Sequence, residues 1–231
     1  MSLVNGPVDW KTIDVVIFDL DGTLYNQQWL RVRMLMQMLS TATRSRSLQV
    51  PLMLHAFRRC REELANVAAD DFLFLQYEIT AMRLGCSIED VRDVVAEWIE
   101  RRPLAVIAEC TFPGVPKLFA ALAASNRSIA VFSDYPAEAK LEAMKLHADF
   151  IVSATDKDVG QLKPNPAGLH KILKLAGTEP RRSIMIGDRF DRDWEAARRV
   201  GMRALIRSSR PHATADTFRS YADELFRPLL D

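Results

Sequence analysis

The stretch that decides the fold runs from Asp14 through Val15-Val16-Ile17-Phe18-Asp19-Leu20 to Asp21-Gly22-Thr23-Leu24. Its first half is a continuous β-branched and aromatic run, the pattern of a strand buried on both faces of a parallel sheet. It ends in Asp21-Gly22-Thr23, a turn signal, with two carboxylates one residue apart at the strand's end.

Outward from this strand the chain has two textures. From about residue 27 to residue 102 no strand pattern occurs. Val32, Leu35, Met36 and Leu39 fall at i, i+3, i+4, i+7, the spacing of one helical face. A second helix is expected from Pro51 to Ala69. A third follows Asp70-Asp71 and stops at Gly85, and a fourth starts at Ser87, buries Val91, Val95 and Trp98, and stops before Pro103. These predict a small bundle whose core holds the Met and aromatic stripes. For Phe72-Leu73-Phe74-Leu75 a dimer interface is the alternative to core.

After Pro113-Gly114 strands and helices alternate. Strands are expected at 129–132, 150–152, 183–186 and 203–206. Helices are expected around Val115–Leu122, from Pro136, from an Asn165 cap to Gly177, from an Asp191 cap to Gly201, and over Phe218, Tyr221, Ala222 and Leu225. This alternation implies an α/β fold, a doubly wound parallel sheet, with the helical stretch inserted. In such sheets ligands lie beyond the carboxyl ends of the strands.

The polar residues there share one chemistry. They are Asp19 and Asp21, Ser133 with Asp134, Lys163 before a helix start, and Asp188 with Asp191 and Asp193 in the following turn. Each alone reads as a turn, a cap or a solvated cation. Together, converging carboxylates require a cation, and oxygen ligands without His or Cys favour Mg²⁺ over zinc. A metal, a lysine and a hydroxyl form a clamp suited to a phosphoryl group.

Composition agrees with a soluble globular protein: 48% of the 231 residues are apolar and 26% charged. With a net charge of +1, nucleic acid and anionic membranes are not indicated as partners. The doublets Arg58-Arg59, Arg101-Arg102 and Arg198-Arg199 read as solvated helix flanks. Cys60, Cys86 and Cys110 are odd in number and widely spaced, which fits free thiols and a reducing cytoplasm. No signal-peptide pattern opens the chain, and its first apolar run is too short to span a bilayer.

With these residues in hand, the chain resembles the haloacid dehalogenase superfamily of phosphatases. The likeness rests on Phe18-Asp19-Leu20-Asp21-Gly22-Thr23-Leu24, then Val131-Phe132-Ser133-Asp134, then Lys163-Pro164, then Gly187-Asp188 with Asp193. It implies a Rossmann-like catalytic core over residues 1–24 and 105–231 and an α-helical cap over 25–104. It implies that Asp19 attacks phosphorus to form an aspartyl-phosphate, and that Asp21 acts as acid and then base while its carbonyl binds Mg²⁺. Ser133 and Asp134 would bind the phosphate; Asp134 departs from the Asn common there, a harmless change if its backbone N–H makes the contact and an unfavourable one if its charged side chain faces the phosphate. Lys163 would neutralise charge, Asp188 would complete the metal site, and Asp193 would be a direct or outer ligand.

Asp21 argues against a dehalogenase, whose family members lack it. The absence of Lys from Tyr25 to Pro103 argues against phosphonate hydrolysis, which takes a cap lysine. The expected substrate is a small phosphorylated metabolite handled by a monomer or homodimer. A phosphomutase of β-phosphoglucomutase type and a non-catalytic phosphate-binding module remain as alternatives. Arg189 and Arg192 are expected in salt bridges, with leaving-group contact as the alternative. Arg31, Arg33, Arg44 and Arg46 read as solvated, with an anion contact as the alternative.

Overall fold

The computed structural model describes residues 6–45, 49–67 and 71–230, with the backbone alone for 41–45. Six strands form one parallel sheet: β1 (Val15–Phe18), β2 (Ser128–Ser133), β3 (Phe150–Ser153), β4 (Ser183–Gly187), β5 (Arg203–Arg207) and β6 (Asp216–Phe218), in the order β3-β2-β1-β4-β5-β6. β1 is central, in register with β2 (Phe18 beside Val131) and β4 (Phe18 beside Ile186). The chain leaves β1 toward β2 on one side and reaches β4 on the other, so the switch in strand order falls at the end of β1.

Both faces of the sheet are covered, as the unbroken apolar run of β1 requires. Val16 and Phe18 join Ile129, Val131, Ile184 and Ile186 in one core. Val15 and Ile17 join Ala130, Phe132, Met185 and Ile206 in the other. Each such fully buried side chain is worth about 1.5–3 kcal/mol over an exposed one. The helices that cover them are α5 (Val115–Ala123), α6 (Glu138–Ala143), α7 (Ala167–Ala176) and α8 (Glu195–Val200).

Between β1 and β2 lies the helical insert: α1 (Gln27–Ser45), α2 (Gln49–Leu64), α3 (Phe72–Leu84) and α4 (Ile88–Val95). Ser87 and Asp90 form a reciprocal capping box at the start of α4, and Gly85 closes α3 at φ 63°. Asp71 caps α3, whereas Asp70, Ala68 and Ala69 fall outside the described residues. The insert continues as a π-turn over Ala96–Arg101 and a 3₁₀ turn over Arg102–Ala105, so Pro103 sits inside a turn and does not end the helical path.

Three expectations need correction. Val32, Leu35, Met36 and Leu39 are 39–60% exposed, and the buried line of α1 is Leu30, Met34 and Met38. The reason is that α2, α3 and α4 pack on one another, while α1 packs against the turns at Arg102–Ala105 and Ile107–Cys110. The expected terminal helix is absent: Phe218 ends β6, and a short 3₁₀ turn (Glu224–Phe226) leads into α9 (Arg227–Leu230). Its aromatic residues serve instead as a plug, with Phe218 and Phe226 rings edge-to-face at 5.0 Å and Trp10 against Phe226. Asp191 does not cap a helix; it lies within the π-turn Phe190–Trp194, paired with Arg189. Of the Phe72–Leu75 run, Phe72 is buried with Ala154 and Leu162 of the sheet-bearing part, and Phe74 is 45% exposed.

Candidate active site

Three adjacent strands, β2, β1 and β4, end side by side, and their first residues beyond the sheet meet. Asp19, buried, accepts from Lys163 Nζ at 2.5 Å on Oδ1 and from Thr23 Oγ1 at 2.8 Å on Oδ2. Lys163 Nζ also donates to Asp193 Oδ1 at 2.7 Å and to the Phe132 carbonyl at 3.2 Å. Asp193 Oδ2 takes the backbone N–H groups of Asp188 and Arg189, at 3.1 and 3.0 Å, which fixes the turn after β4. Oxygens of Asp19, Asp188 and Asp193 lie within 4.8 Å of one another.

Two glycines permit this crowding. A Cβ on Gly22, whose φ is +97°, would meet Asp188 Oδ2 at 2.3 Å. A Cβ on Gly187 would meet Asp193 at 2.4 Å.

The electrostatics show a site short of positive charge. Burial, with the neighbouring Asp193 and Asp188, pushes Asp19 well above the usual carboxylate range against the pull of Lys163. Burial and Asp193 push Asp188 up to about 7. Lys163 is desolvated, yet Asp19, Asp193 and Asp134 hold it well above its ordinary value as a cation. One ammonium therefore faces three converging carboxylates.

Asp21 stands apart from the three. Its carboxylate accepts from Lys140 Nζ of α6 at 2.7 Å and from the Tyr25 hydroxyl. Burial raises its pKa, but the Lys140 charge and these hydrogen bonds outweigh burial and leave it below its ordinary value. Tyr221, from the C-terminal aromatic plug, donates to the Thr23 carbonyl at 2.8 Å and so anchors the same loop.

Residues 13–201 match the family model of the haloacid dehalogenase-like hydrolases. The chain belongs to that family. A haloacid dehalogenase-like hydrolase domain-containing protein 3 from Bos taurus is 38% identical over 63 residues, 27% of this chain and 24% of that protein. A phosphoglycolate phosphatase from Aquifex aeolicus is 29% identical over 98 residues, 41% of this chain and 46% of that protein. The matches thus span less than half the length of either relative. A putative hydrolase of the same family from Bacillus subtilis, solved bound to magnesium, shares the fold with a TM-score of 0.67 at 13% identity, over 94% of this chain and 98% of that one.

In this member of the family the donor set fits a hard divalent cation. Asp19, Asp188 and Asp193 offer only oxygen, and Asp188 has no cationic partner among the described residues. Ser133 is buried at the end of β2, its Oγ accepting from Tyr135 N at 3.1 Å. The Asp134 carboxylate accepts the Lys163 backbone N–H at 3.1 Å, so it braces the lysine loop and its charge is directed there.

Sequence reading missed several participants. Lys140 is a single helical lysine with no motif around it, and Tyr25 lies just beyond the motif. Arg61 of α2 is buried, bonds Gln76 at 3.0 Å and the Asp134 carbonyl, and stacks 3.7 Å above the Tyr135 ring. Glu62 of α2 joins both Arg189, at 2.8 Å, and Arg192, at 2.9 Å; Arg192 also donates to the Lys163 carbonyl at 3.0 Å. The salt bridges expected of Arg189 and Arg192 thus cross from the insert to the sheet. Nothing local marks Glu62, because its partners lie more than 120 residues away.

Among the arginines read as solvated, Arg33 pairs with Glu109, and Arg101, Arg102, Arg198 and Arg199 pair with nearby glutamates. The Arg44 side chain and Arg46 lie outside the described residues. Arg58 departs from expectation: it is partly buried and lines a space beside Asp21. No described helix is long and apolar enough to cross a membrane.

Proposed function

We propose that the chain is a Mg²⁺-dependent phosphatase that hydrolyses a small phosphate monoester through an aspartyl-phosphate at Asp19. The observation that carries this is the placement of Asp19 between Lys163 and Thr23, with the oxygens of Asp188 and Asp193 close by. The phosphatase among the relatives supports it. On this reading residues 25–104 form a cap that closes over a core of residues 1–24 and 105–231.

Asp19, Asp188 and Asp193, with the Asp21 carbonyl, would hold the cation, which supplies charge neutralisation for the transferring group when bound. Lys163 pulls the Asp19 pKa down against burial and orients its carboxylate for attack on phosphorus, and a bound cation would favour the ionised form further. As the Asp19–phosphorus bond forms and the ester bond breaks, Asp21 gives a proton to the leaving oxygen. A dianionic ester beside Asp21 raises its proton affinity, which suits this acid half of the cycle. Asp21, returned to the ionised form that Lys140 and Tyr25 favour, then takes a proton from the water that displaces Asp19 and frees inorganic phosphate. Ser133 Oγ and the Asp134 N–H bind phosphoryl oxygens throughout.

The deciding experiment measures phosphate release from a panel of monoesters with Mg²⁺ or EDTA, for wild type and Asp19→Asn. Release that needs both the metal and Asp19, with an acid-stable, hydroxylamine-labile phosphate on the wild-type chain alone, is the expected result. Full release in EDTA or in Asp19→Asn would exclude the scheme. Product analysis separates hydrolysis from phosphate return to a sugar.

A further inference from the structure

A cavity of about 680 Å³ opens between α1 and α2, walled by Met34, Met38 and Leu54. A narrower space that shares Arg31, Met34 and Arg58 with it is lined by Asp21, Tyr25 and Lys140. Arg31 and Arg58 line both spaces and so stand where one joins the other.

Their partners, or lack of them, set these two arginines apart. Arg33, Arg59, Arg189 and Arg192 each have a carboxylate within reach, and Arg61 has Gln76 and the Asp134 carbonyl. Among the described residues neither Arg31 nor Arg58 has an ion-pair or hydrogen-bond partner. Burial and the neighbouring Arg31 charge push the Arg58 guanidinium down from its ordinary value. Glu62, on the same wall of the cavity, is already committed to Arg189 and Arg192.

Two guanidinium groups facing one space repel each other, and Arg58 does so while partly desolvated. An oxyanion between them relieves both costs, and the planar fork of arginine matches a carboxylate or phosphate with paired hydrogen bonds. The narrower space places that oxyanion on the leaving-group side of Asp21. We infer that Arg58 and Arg31 form a second oxyanion subsite, so that the substrate is a phosphate monoester whose leaving group carries its own carboxylate or phosphate. This rests on the reading of Asp19 as the site of phosphoryl transfer.

The test titrates the full chain with non-hydrolysable phosphonates in Mg²⁺, by calorimetry, and follows p-nitrophenyl phosphate hydrolysis in parallel. The pairs are 3-phosphonopropionate against butylphosphonate, and propane-1,3-bisphosphonate against the same neutral-tailed compound. One charged compound at least binds tenfold or more tightly than the neutral one, and which does so separates a carboxylate from a phosphate. In Arg58→Met that ratio falls toward one; Arg58→Lys restores part of it, and Arg31→Met reduces it less. Equal binding of charged and neutral compounds by wild type, or a ratio that survives in both methionine variants, overturns the subsite. Hydrolysis without charge preference removes the subsite and leaves the phosphatase reading standing. Charge preference without hydrolysis of any monoester overturns the phosphatase reading and with it the substrate assignment, leaving only an oxyanion-binding pair of arginines.

Discussion

Lys140 Nζ lies 2.7 Å from Asp21 Oδ1, an ion pair between the middle of α6 and the loop that leaves β1. Both side chains are largely buried, at 8% and 14% exposure, so solvent screens the pair little. Lys140 holds Asp21 ionised and fixes its direction. On the proposed role of Asp21, Lys140→Met is expected to lower kcat about 10–100-fold, less than the roughly 10²–10⁴-fold of a lost acid–base group, because Lys140 acts only through Asp21. The sign of the pH effect follows from the charge removed: without the cation, the Asp21 pKa rises, and the acid limb of the pH–rate profile moves to higher pH. A profile from pH 4 to 9 decides it, and a rate loss with no movement of either limb would assign Lys140 a structural role only.

The Asp188 carboxyl gives a second pH signature. Its pKa of about 7 in the metal-free site lies above the ordinary 3.8, so the folded chain holds a proton there that the unfolded chain has lost. The stability that accompanies this proton is therefore present at low pH and is lost as pH rises through about 7. Metal-free protein should be about 1 kcal/mol less stable at pH 8 than at pH 6 from this group. On the proposed metal site, Mg²⁺ would compete with the proton and should raise Tm more at pH 8 than at pH 6. Asp188→Asn should flatten both dependences, and an Asp188→Asn chain that keeps the wild-type Mg²⁺ shift would remove Asp188 from the metal site.

The contrast between Asp188 and Lys140 marks what a sequence discloses. Strand β1 and its two aspartates were legible because a doubly buried strand cannot be polar until it ends, so the first carboxylates after Phe18 announce the sheet's edge. Ser133 and Asp188 were legible for the same reason at neighbouring strand ends, and Lys163 by its place just before the start of α7. Lys140 and Glu62 were not, since each is an ordinary helical charge whose meaning comes from partners more than 100 residues away. The apolar stripe of α1 misled in another way. Its helix is apolar on more than one face, and spacing alone does not say which face meets the turns beneath. The C-terminal aromatic residues have helical spacing, but their rings close on Trp10 and on one another, and that packing overrides the local pattern.

Glu62 links α2 to the turn that carries Asp188 and Asp193. Hydrogen bonds from Arg189, with the charges of Arg189 and Arg192, hold its carboxyl down at about 2 despite partial burial. A depressed pKa means the contribution is present above the ordinary 4.5 and fades as pH falls toward about 2. The Glu62 side chain is 53% exposed, so screening limits the pair to about 1 kcal/mol or less. Glu62→Gln is expected to lower Tm by about 2–4 °C at pH 7, with the gap narrowing in high salt and at acid pH. It should also raise KM more than it lowers kcat, because the link joins the insert to the sheet. Thermal scans at several pH values with steady-state kinetics check both; a Tm gap independent of salt and pH would deny the ion pair its role.

Gly168 tests the packing under Lys163. It lies in the first turn of α7, and a Cβ there would stand 2.2 Å from the Phe132 ring, which is fully buried between β2 and that helix. Alanine is the better helix former by about 1 kcal/mol, so an exposed position would gain stability from Gly168→Ala. Here the ring is fully buried and stands inside contact distance of the added methyl, so ring or helix must shift, and overpacking of this kind costs about 1–3 kcal/mol. The clash wins, and a net loss of about 1–2 kcal/mol is expected in denaturant titration. Phe132 also supplies the carbonyl that accepts from Lys163 Nζ at 3.2 Å, so any shift of the ring's backbone reaches the site. Gly168→Ala should therefore weaken phosphate or vanadate inhibition along with stability. A stabilised variant with unchanged inhibition would show that α7 and β2 do not pack as closely as described.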